Sequence, residues 1–159
     1  LYTESDLIYE KTLEGVWVEN DASWIFKKAS GKTYDITMID GEKKAGHFAG
    51  HLIKLGDRHF LDLYPTDLET GGSNFYDMHF VPAHTFAWIQ YDDSKLQFNF
   101  LHVETIADLL EDDPDALPHK LIDDNLVLTA ETEKLQAFIL KHMHEDDFFA
   151  ETDPFKRQP

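Results

Sequence analysis

The sequence predicts a mainly β protein: an eight-stranded antiparallel up-and-down barrel with two helices late in the chain. Short runs of alternating apolar and polar residues, clearest over 94–101, are typical of half-buried strands. Turn residues separate consecutive runs by a few positions, which predicts sequential hairpins. Eight strands joined in this way favour a closed barrel over a sandwich, because closure removes exposed strand edges.

The composition is that of one acidic domain, residues 1–159. The chain has 31 acidic and 14 basic residues, a formal net charge of -17 and no cysteine. This charge argues against nucleic acid as a partner, since phosphates require basic patches. Disulfides and thiolate zinc sites are excluded, and no apolar run approaches the roughly 20 residues of a membrane-spanning helix. The chain starts at Leu1 without a methionine, so we expect a processed or trimmed chain, with a removed export signal as one origin.

The first two strands follow a short helical lead-in over about 5–14. They are predicted at Gly15–Glu19 and Ala22–Lys28, joined by a two-residue Asn-Asp turn whose residues tolerate positive φ. Directly opposed residues of a hairpin share a face of the sheet. The turn therefore places Trp17 opposite Trp24.

The third strand is predicted at Thr33–Ile39 after a two-residue turn at Ser30-Gly31. In this register Asp35 lies opposite Phe26, on the same face as Trp24. The face would then combine aromatic rings with a few polar groups.

The fourth and fifth strands are predicted at Ala45–Leu55 and 58–64, joined by a Gly-Asp turn. This register places His51 opposite Asp62, and Tyr64 lies on the same face as Asp62 because side chains alternate along a strand.

The remaining elements complete the count of eight strands. Their predicted ranges are strand six at 83–91, strand seven at 94–101, an inserted helix at about 102–112, strand eight at 119–128 and a C-terminal helix at about 130–144. The barrel is thus expected to span about 14–129. The last helix and a partly frayed tail would occupy 130–159.

A glycine-x-tryptophan motif, Gly15-Val16-Trp17, begins the first strand after the helical lead-in. Together with eight strands and a C-terminal helix, it resembles the lipocalins, barrels of the calycin type, over most of residues 14–145. The segment from this motif to the Phe-Leu-Asp-Leu-Tyr-Pro run at 60–65 is similar to uncharacterised bacterial lipocalin-like envelope proteins, lipoproteins among them. The resemblance implies an inward-pointing Trp17 and a ligand cavity. It also implies a place in the bacterial cell envelope or periplasm after removal of an export signal, with the cytoplasm as the alternative.

Two features depart from the lipocalin pattern. Lipocalins carry an arginine late in the barrel that stacks on the motif tryptophan, and the sequence pattern places neither Arg58 nor Arg157 at such a position. The helix predicted over about 102–112 also interrupts the last two strands.

The pocket candidates depend on which sheet face is inside. If Trp17 points inward, the mixed aromatic and polar face forms the interior, which is the usual make-up of a small-molecule pocket. The alternative places the purely apolar face inside. On the first interpretation, the ligand-binding candidates are Trp17, Trp24, Phe26, Asp35, His51, Asp62, Tyr64, His84, Phe86 and Trp88.

Catalytic chemistry has little support in the sequence. His51 and Asp62 could form half of a catalytic or metal-binding arrangement, with a structural hydrogen-bonded pair as the alternative. Serine-nucleophile motifs, phosphate-binding glycine loops and paired-carboxylate signatures are absent. We therefore predict no catalytic residue, no metal, no cofactor and no enzyme activity.

Two functions are compatible with these patterns. The first is a non-catalytic barrel that binds a small hydrophobic or amphipathic molecule, with the glycine-rich loop at about 66–78 at its rim. The second is a structural or interaction protein of the bacterial envelope, whose barrel is filled by its own side chains.

Overall fold

The computed structural model describes residues 1–67, 82–122 and 125–159. Two turns of 3-10 helix, Glu4–Asp6 and Lys11–Leu13, form the lead-in. The strands are β1 Leu7–Ile8, β2 Gly15–Glu19, β3 Ala22–Lys28, β4 Thr33–Ile39, β5 Ala45–Leu55, β6 Arg58–Pro65, β7 Thr85–Tyr91, β8 Lys95–Leu101, β9 His119–Ile122, β10 Asn125–Leu128, β11 Phe149–Glu151 and β12 Phe155–Arg157. The helices are α1 Val103–Asp112 and α2 Thr132–His142. Most of the loop predicted at 66–78 lies outside the described residues.

Eight antiparallel strands close the barrel, which confirms the predicted fold class. They follow one another in the order β2-β3-β4-β5-β6-β7-β8-β12, and β12 pairs back onto β2. Strands β2 to β8 occupy the ranges expected from the alternating pattern and the turn residues. The inserted and C-terminal helices are also present. No helix among the described residues is long and apolar enough to cross a membrane.

The strand that closes the barrel is not the one expected from the sequence. The predicted eighth strand at 119–128 instead forms the hairpin β9–β10, outside the barrel sheet. Its place is taken by β12 in the C-terminal tail, where Lys156 lies opposite both Val18 and Lys95. The expectation of a frayed tail is wrong at these residues, and the barrel continues beyond 129. Closure is a contact between chain ends, which a local pattern does not encode.

The hairpin registers were predicted correctly in two places and wrongly in one. Trp17 lies opposite Trp24, and His51 lies opposite Asp62, as expected. Between β3 and β4, however, Phe26 lies opposite Ile36 and not Asp35. The turn contains three residues, Ser30 to Lys32, because Ala29 N–H donates to the carbonyl of Thr33. A slip of one residue exchanges the two faces of a strand.

The barrel wall is buried on both sides over much of its surface. The inner core includes Trp17, Trp24, Phe26, Tyr34, Ile36, Leu52, Leu61, Leu63, Ala87, Ile89, Leu96 and Phe98. An outer core joins the outer faces of β5 and β6 to the two helices, and includes Ile53, Leu55, Phe60, Ile106, Leu110, Leu135, Phe138, Ile139, Met143 and Phe148. The two helices therefore cover one side of the wall and leave the other sheet face to form the interior.

The lead-in closes one end of the barrel. The Tyr34 hydroxyl accepts a hydrogen bond from Glu10 N–H at 2.7 Å and donates one to the Glu10 carbonyl at 3.0 Å. The rings of Tyr9 and Tyr34 stack with their centres 4.8 Å apart. The indole N–H of Trp17 donates to the carbonyl of Leu13 at 2.9 Å, and both residues are fully buried. We call this the closed end.

Arg157 ties the last barrel strand to the first. Its guanidinium carbon lies 4.1 Å from the ring centre of Trp17. Nε donates to the Asp93 carbonyl at 2.8 Å, Nη1 donates to the Glu14 carbonyl at 2.6 Å, and Nη2 donates to the Thr12 carbonyl. The sequence pattern placed neither arginine on this tryptophan, and for Arg157 that interpretation is wrong.

Candidate functional site

Three predicted pocket residues lie inside the barrel: Trp17, Trp24 and Phe26. Trp17 points inward as the mixed-face interpretation requires. The face is nevertheless more apolar than predicted, because the register of β4 places Ile36 and Met38 inside. Asp35 lies on the outer side of the same strand and is exposed, so its assignment to the pocket is wrong.

The interior differs between its two ends. At the closed end Leu13, Trp17 and Tyr34 have no exposed surface. Toward the opposite end, Met38, Phe48 and Phe100 face inward but are only partly buried. We call these three residues with Trp24 the mouth cluster.

The mouth cluster is held together by ring contacts. The Trp24 ring centre lies 6.2 Å from that of Phe48 and 4.7 Å from that of Phe98. Phe98 in turn stacks on Phe100, with 6.2 Å between centres and 10° between planes. Met38 lies opposite Trp24 on the next strand. Rigid aromatic surfaces of this kind bury apolar ligand area at little cost in side-chain entropy.

The polar candidates His51, Asp62, Tyr64 and His84 lie on the outer side of the wall. Asp62 shares its strand face with Phe60 of the outer core. Its side chain is fully buried, and Oδ1 lies 2.6 Å from Nδ1 of His84, whose side chain is 46% exposed. The barrel wall therefore separates these residues from Trp24, and their assignment to one pocket with it is wrong.

The outer polar residues do meet one another. The His51 ring lies 4.5 Å from that of Tyr2, and the His84 ring lies 4.7 Å from that of Tyr64. Nε2 of His51 lies 3.2 Å from the Thr33 hydroxyl. Burial lowers the pKa of His51, the Asp62 charge acts in the opposite direction, and the charge of His84 adds to the lowering.

Asp62 and His84 form a carboxylate–imidazole pair on the outer side of the wall. A carboxylate on Nδ1 of His84 favours the tautomer with a proton-accepting Nε2, as in a general base. The Leu1 amino group also donates to Asp62 at 2.8 Å. Among the described residues, no group of three or more His, Asp or Glu side chains is arranged to hold a metal. The absence of enzyme activity stays a prediction.

Phe86 and Trp88 also pack on the outer core. The Trp88 ring lies 5.5 Å from that of Phe149 in β11. Both residues therefore lie on the outer side of the wall. The sequence pattern did not reveal this, because the outer core makes that face as apolar as the interior. Their assignment to the interior pocket is therefore wrong.

A groove that the sequence did not indicate lies at the closed end of the wall, over the ends of β6 and β7. It measures about 670 Å³ and is lined by Glu10, Asp57, Arg58, His59, Trp88, Ile89, Gln90 and Tyr91. The one signal for it in the sequence is that only two arginines occur in so acidic a chain.

Several groups in this groove are perturbed by burial. Burial lowers the pKa of Arg58 and of His59, and it raises the pKa of Tyr91 to about 12. The Tyr91 hydroxyl lies 3.1 Å from Nδ1 of His59, and the two rings stack at 5.6 Å. Perturbed titratable groups that share a groove are typical of binding sites.

Comparisons with known proteins add no relative: no family model, no curated protein and no solved structure matches this chain. The closed eight-stranded barrel is compatible with a lipocalin-like fold.

Proposed function

We propose that this protein is a lipocalin-like, non-catalytic barrel that binds one small hydrophobic or amphipathic molecule at the mouth cluster. A single observation supports it: Met38, Phe48 and Phe100 face inward and keep solvent-accessible surface, whereas Leu13, Trp17 and Tyr34 at the closed end have none. Accessible apolar side chains that are grouped on one surface are typical of binding sites. The closed end is filled, so the ligand would enter only the outer part of the barrel.

A fluorescent apolar probe tests this proposal. N-phenyl-1-naphthylamine becomes brighter in apolar surroundings, and we expect saturable binding to the full chain. Phe48→Ser and Met38→Gln should each weaken binding by about tenfold, since removing a buried apolar contact costs about 1.4 kcal/mol. Circular dichroism would verify that each variant remains folded.

Leu121→Ser is the matched control, because Leu121 is 70% exposed on the β9–β10 hairpin, outside the barrel sheet. It should leave probe binding unchanged. Equal binding by the mouth variants and the original chain would contradict the proposal. Native mass spectrometry of protein purified from its own host would show a retained molecule directly.

A second candidate function is that of a structural or interaction protein with a filled barrel. The β9–β10 hairpin supports it, because Leu121 and Ile122 are 70% and 52% exposed. Exposed apolar side chains in adjacent positions favour contact with another protein. This function would gain support if Leu121→Ser abolished an association while the mouth variants had no effect. A location in the bacterial envelope is proposed with either function, on the resemblance alone.

A further inference from the structure

The two arginines of this chain both lie on a tryptophan ring, but they differ in what their edges contact. Arg157 lies on Trp17, and all three of its guanidinium nitrogens donate to backbone carbonyls. The Arg58 guanidinium lies 3.9 Å from the Trp88 ring centre. Within the described residues, its one hydrogen-bond contact is 3.5 Å long, from Nη2 to Nδ1 of His144. Such a distance is at the weak limit for a hydrogen bond.

The guanidinium of Arg58 is therefore held in a fixed orientation, but its N–H donors are not fully hydrogen-bonded. Its planar face is held against Trp88, and Phe149 lies 5.5 Å away. No ion pair within 4 Å involves it in the described part of the chain. The edge of a guanidinium is the part that binds a carboxylate through two parallel hydrogen bonds. Among the described residues, the structure thus presents a fixed donor edge whose one protein contact is the long one to His144.

The same groove contains an unpaired carboxylate, that of Glu10. The backbone of Glu10 is bonded to the Tyr34 hydroxyl, but among the described residues its side chain has no hydrogen bond or ion pair. Its charge acts on His59 and Tyr91, whereas the carboxylate that acts on Arg58 is Asp57. Arg58 packs on Trp88 of the outer core, whereas Glu10 is bonded through its backbone to Tyr34 of the inner core. No ion pair within 4 Å joins the Glu10 and Arg58 side chains in the described part of the chain.

We propose that this groove binds a zwitterionic small molecule, with its carboxylate on the edge of Arg58 and its ammonium group at Glu10. The amino acids are the simplest members of this class. Ile89 and Tyr91 also line the groove.

The charge of the protein favours a zwitterion over a simple anion. The chain carries a net charge of -17, and Asp57 and Glu10 both border the groove. These charges repel any molecule with net negative charge, whereas a zwitterion has none and gains attraction at both ends. Partial burial, which lowers the pKa of Arg58, also reduces solvent screening of the contact.

This site is independent of the proposed barrel ligand. Its residues lie at the closed end and partly on the outer side of the wall, whereas the mouth cluster lies inside at the opposite end. Loss of one binding activity without the other would separate the two proposals.

Isothermal titration of the full chain tests the groove with five probes. Three are zwitterions of increasing length: glycine, 4-aminobutanoate and 6-aminohexanoate. Two carry a single charge: butanoate and butylammonium. We expect at least one zwitterion to bind saturably, about tenfold or more tighter than either singly charged probe. Failure of all three zwitterions to bind, or equal binding by a singly charged probe, would overturn the proposal.

Matched variants locate the binding. Arg58→Gln and Glu10→Gln should each weaken the bound zwitterion by about tenfold or more. Lys120→Gln and Glu104→Gln change the net charge equally at exposed positions outside the groove, and should leave affinity unchanged. Equal losses of affinity in the groove variants and the control variants would contradict the assignment of binding to this groove. If Arg58→Gln does not fold, Arg58→Lys keeps the charge but removes the two-pronged edge, and its expected result is again weaker binding.

Discussion

The guanidinium carbon of Arg157 lies 4.1 Å from the ring centre of Trp17. This contact joins the last barrel strand, β12, to the first long strand, β2, and it does so at the closed end. Because β12 has only three residues, it forms few ladder hydrogen bonds. The Arg157 side chain therefore provides much of the contact that closes the barrel. The bonds from Arg157 to three backbone carbonyls connect the lead-in and the β7–β8 turn to the same point.

Arg157→Gln should destabilise the fold by about 2–4 kcal/mol, since it leaves backbone carbonyls without their donor and removes the contact with the indole ring. Urea unfolding followed by tryptophan fluorescence would measure the loss. Lys156→Gln is the control, because Lys156 lies exposed on the same strand and should change stability by less than about 0.5 kcal/mol. Equal effects of the two substitutions would contradict the closing role of Arg157.

Gly15→Ala should destabilise the fold by about 2 kcal/mol or more. Gly15 has φ +132, and a Cβ there would lie 2.7 Å from Nη1 of Arg157. Gly31→Ala is the comparison, because Gly31 also has positive φ, +57, but has open space around its Cα. We expect that change to cost only about 1 kcal/mol. A larger loss for Gly31→Ala in thermal unfolding would show that contact with Arg157 is not the reason for glycine at 15.

Gly50→Ala and Ile36→Val should compensate each other. A Cβ at Gly50 would overlap Cδ1 of Ile36 inside the barrel, at a cost of about 1–3 kcal/mol. Ile36→Val removes that methyl group and alone costs about 0.5–1.5 kcal/mol. In the double variant the overlap is relieved, so a double-mutant cycle should give a favourable coupling of about 1 kcal/mol. Additive effects would mean that Ile36 moves aside freely.

His51 should make stability fall as the solution becomes acidic. Burial lowers the pKa of His51 below its ordinary 6.5. Between the lowered pKa of His51 in the folded state and 6.5, the unfolded chain binds the proton and the native chain does not, so the free energy of unfolding decreases as pH falls. The contribution of His51 to stability is complete above pH 6.5 and is lost as pH falls through its pKa in the folded state.

The test is urea unfolding at several values between about pH 7 and 5. His51→Gln should flatten this slope, leaving the part due to His59, whose pKa burial also lowers. His47→Gln, at an exposed position on the same strand, should leave the slope unchanged. An unaltered slope in His51→Gln would exclude this group as its source.

The candidate sites were predictable only in part. Alternation placed Trp17 opposite Trp24 and His51 opposite Asp62. It could not show that the barrel wall separates these two pairs. Alternation distinguishes inside from outside when one face is solvated, but here the helices bury the outer face of β5 and β6. The Arg58 groove depends on the neighbouring strand and lead-in, which no local spacing reveals.

Alternation and turn residues predict the strands, most of the hairpins and the class of barrel, because both act between neighbours in the chain. The strand that closes the barrel, the one-residue register of β4 and the partners of the two arginines depend on contacts between distant parts of the chain. The paired strands β9 and β10 and the tail strand Phe155–Arg157 all have strand character. The choice between them rests on long-range contacts such as Arg157 on Trp17, which exist only once the two ends of the barrel meet.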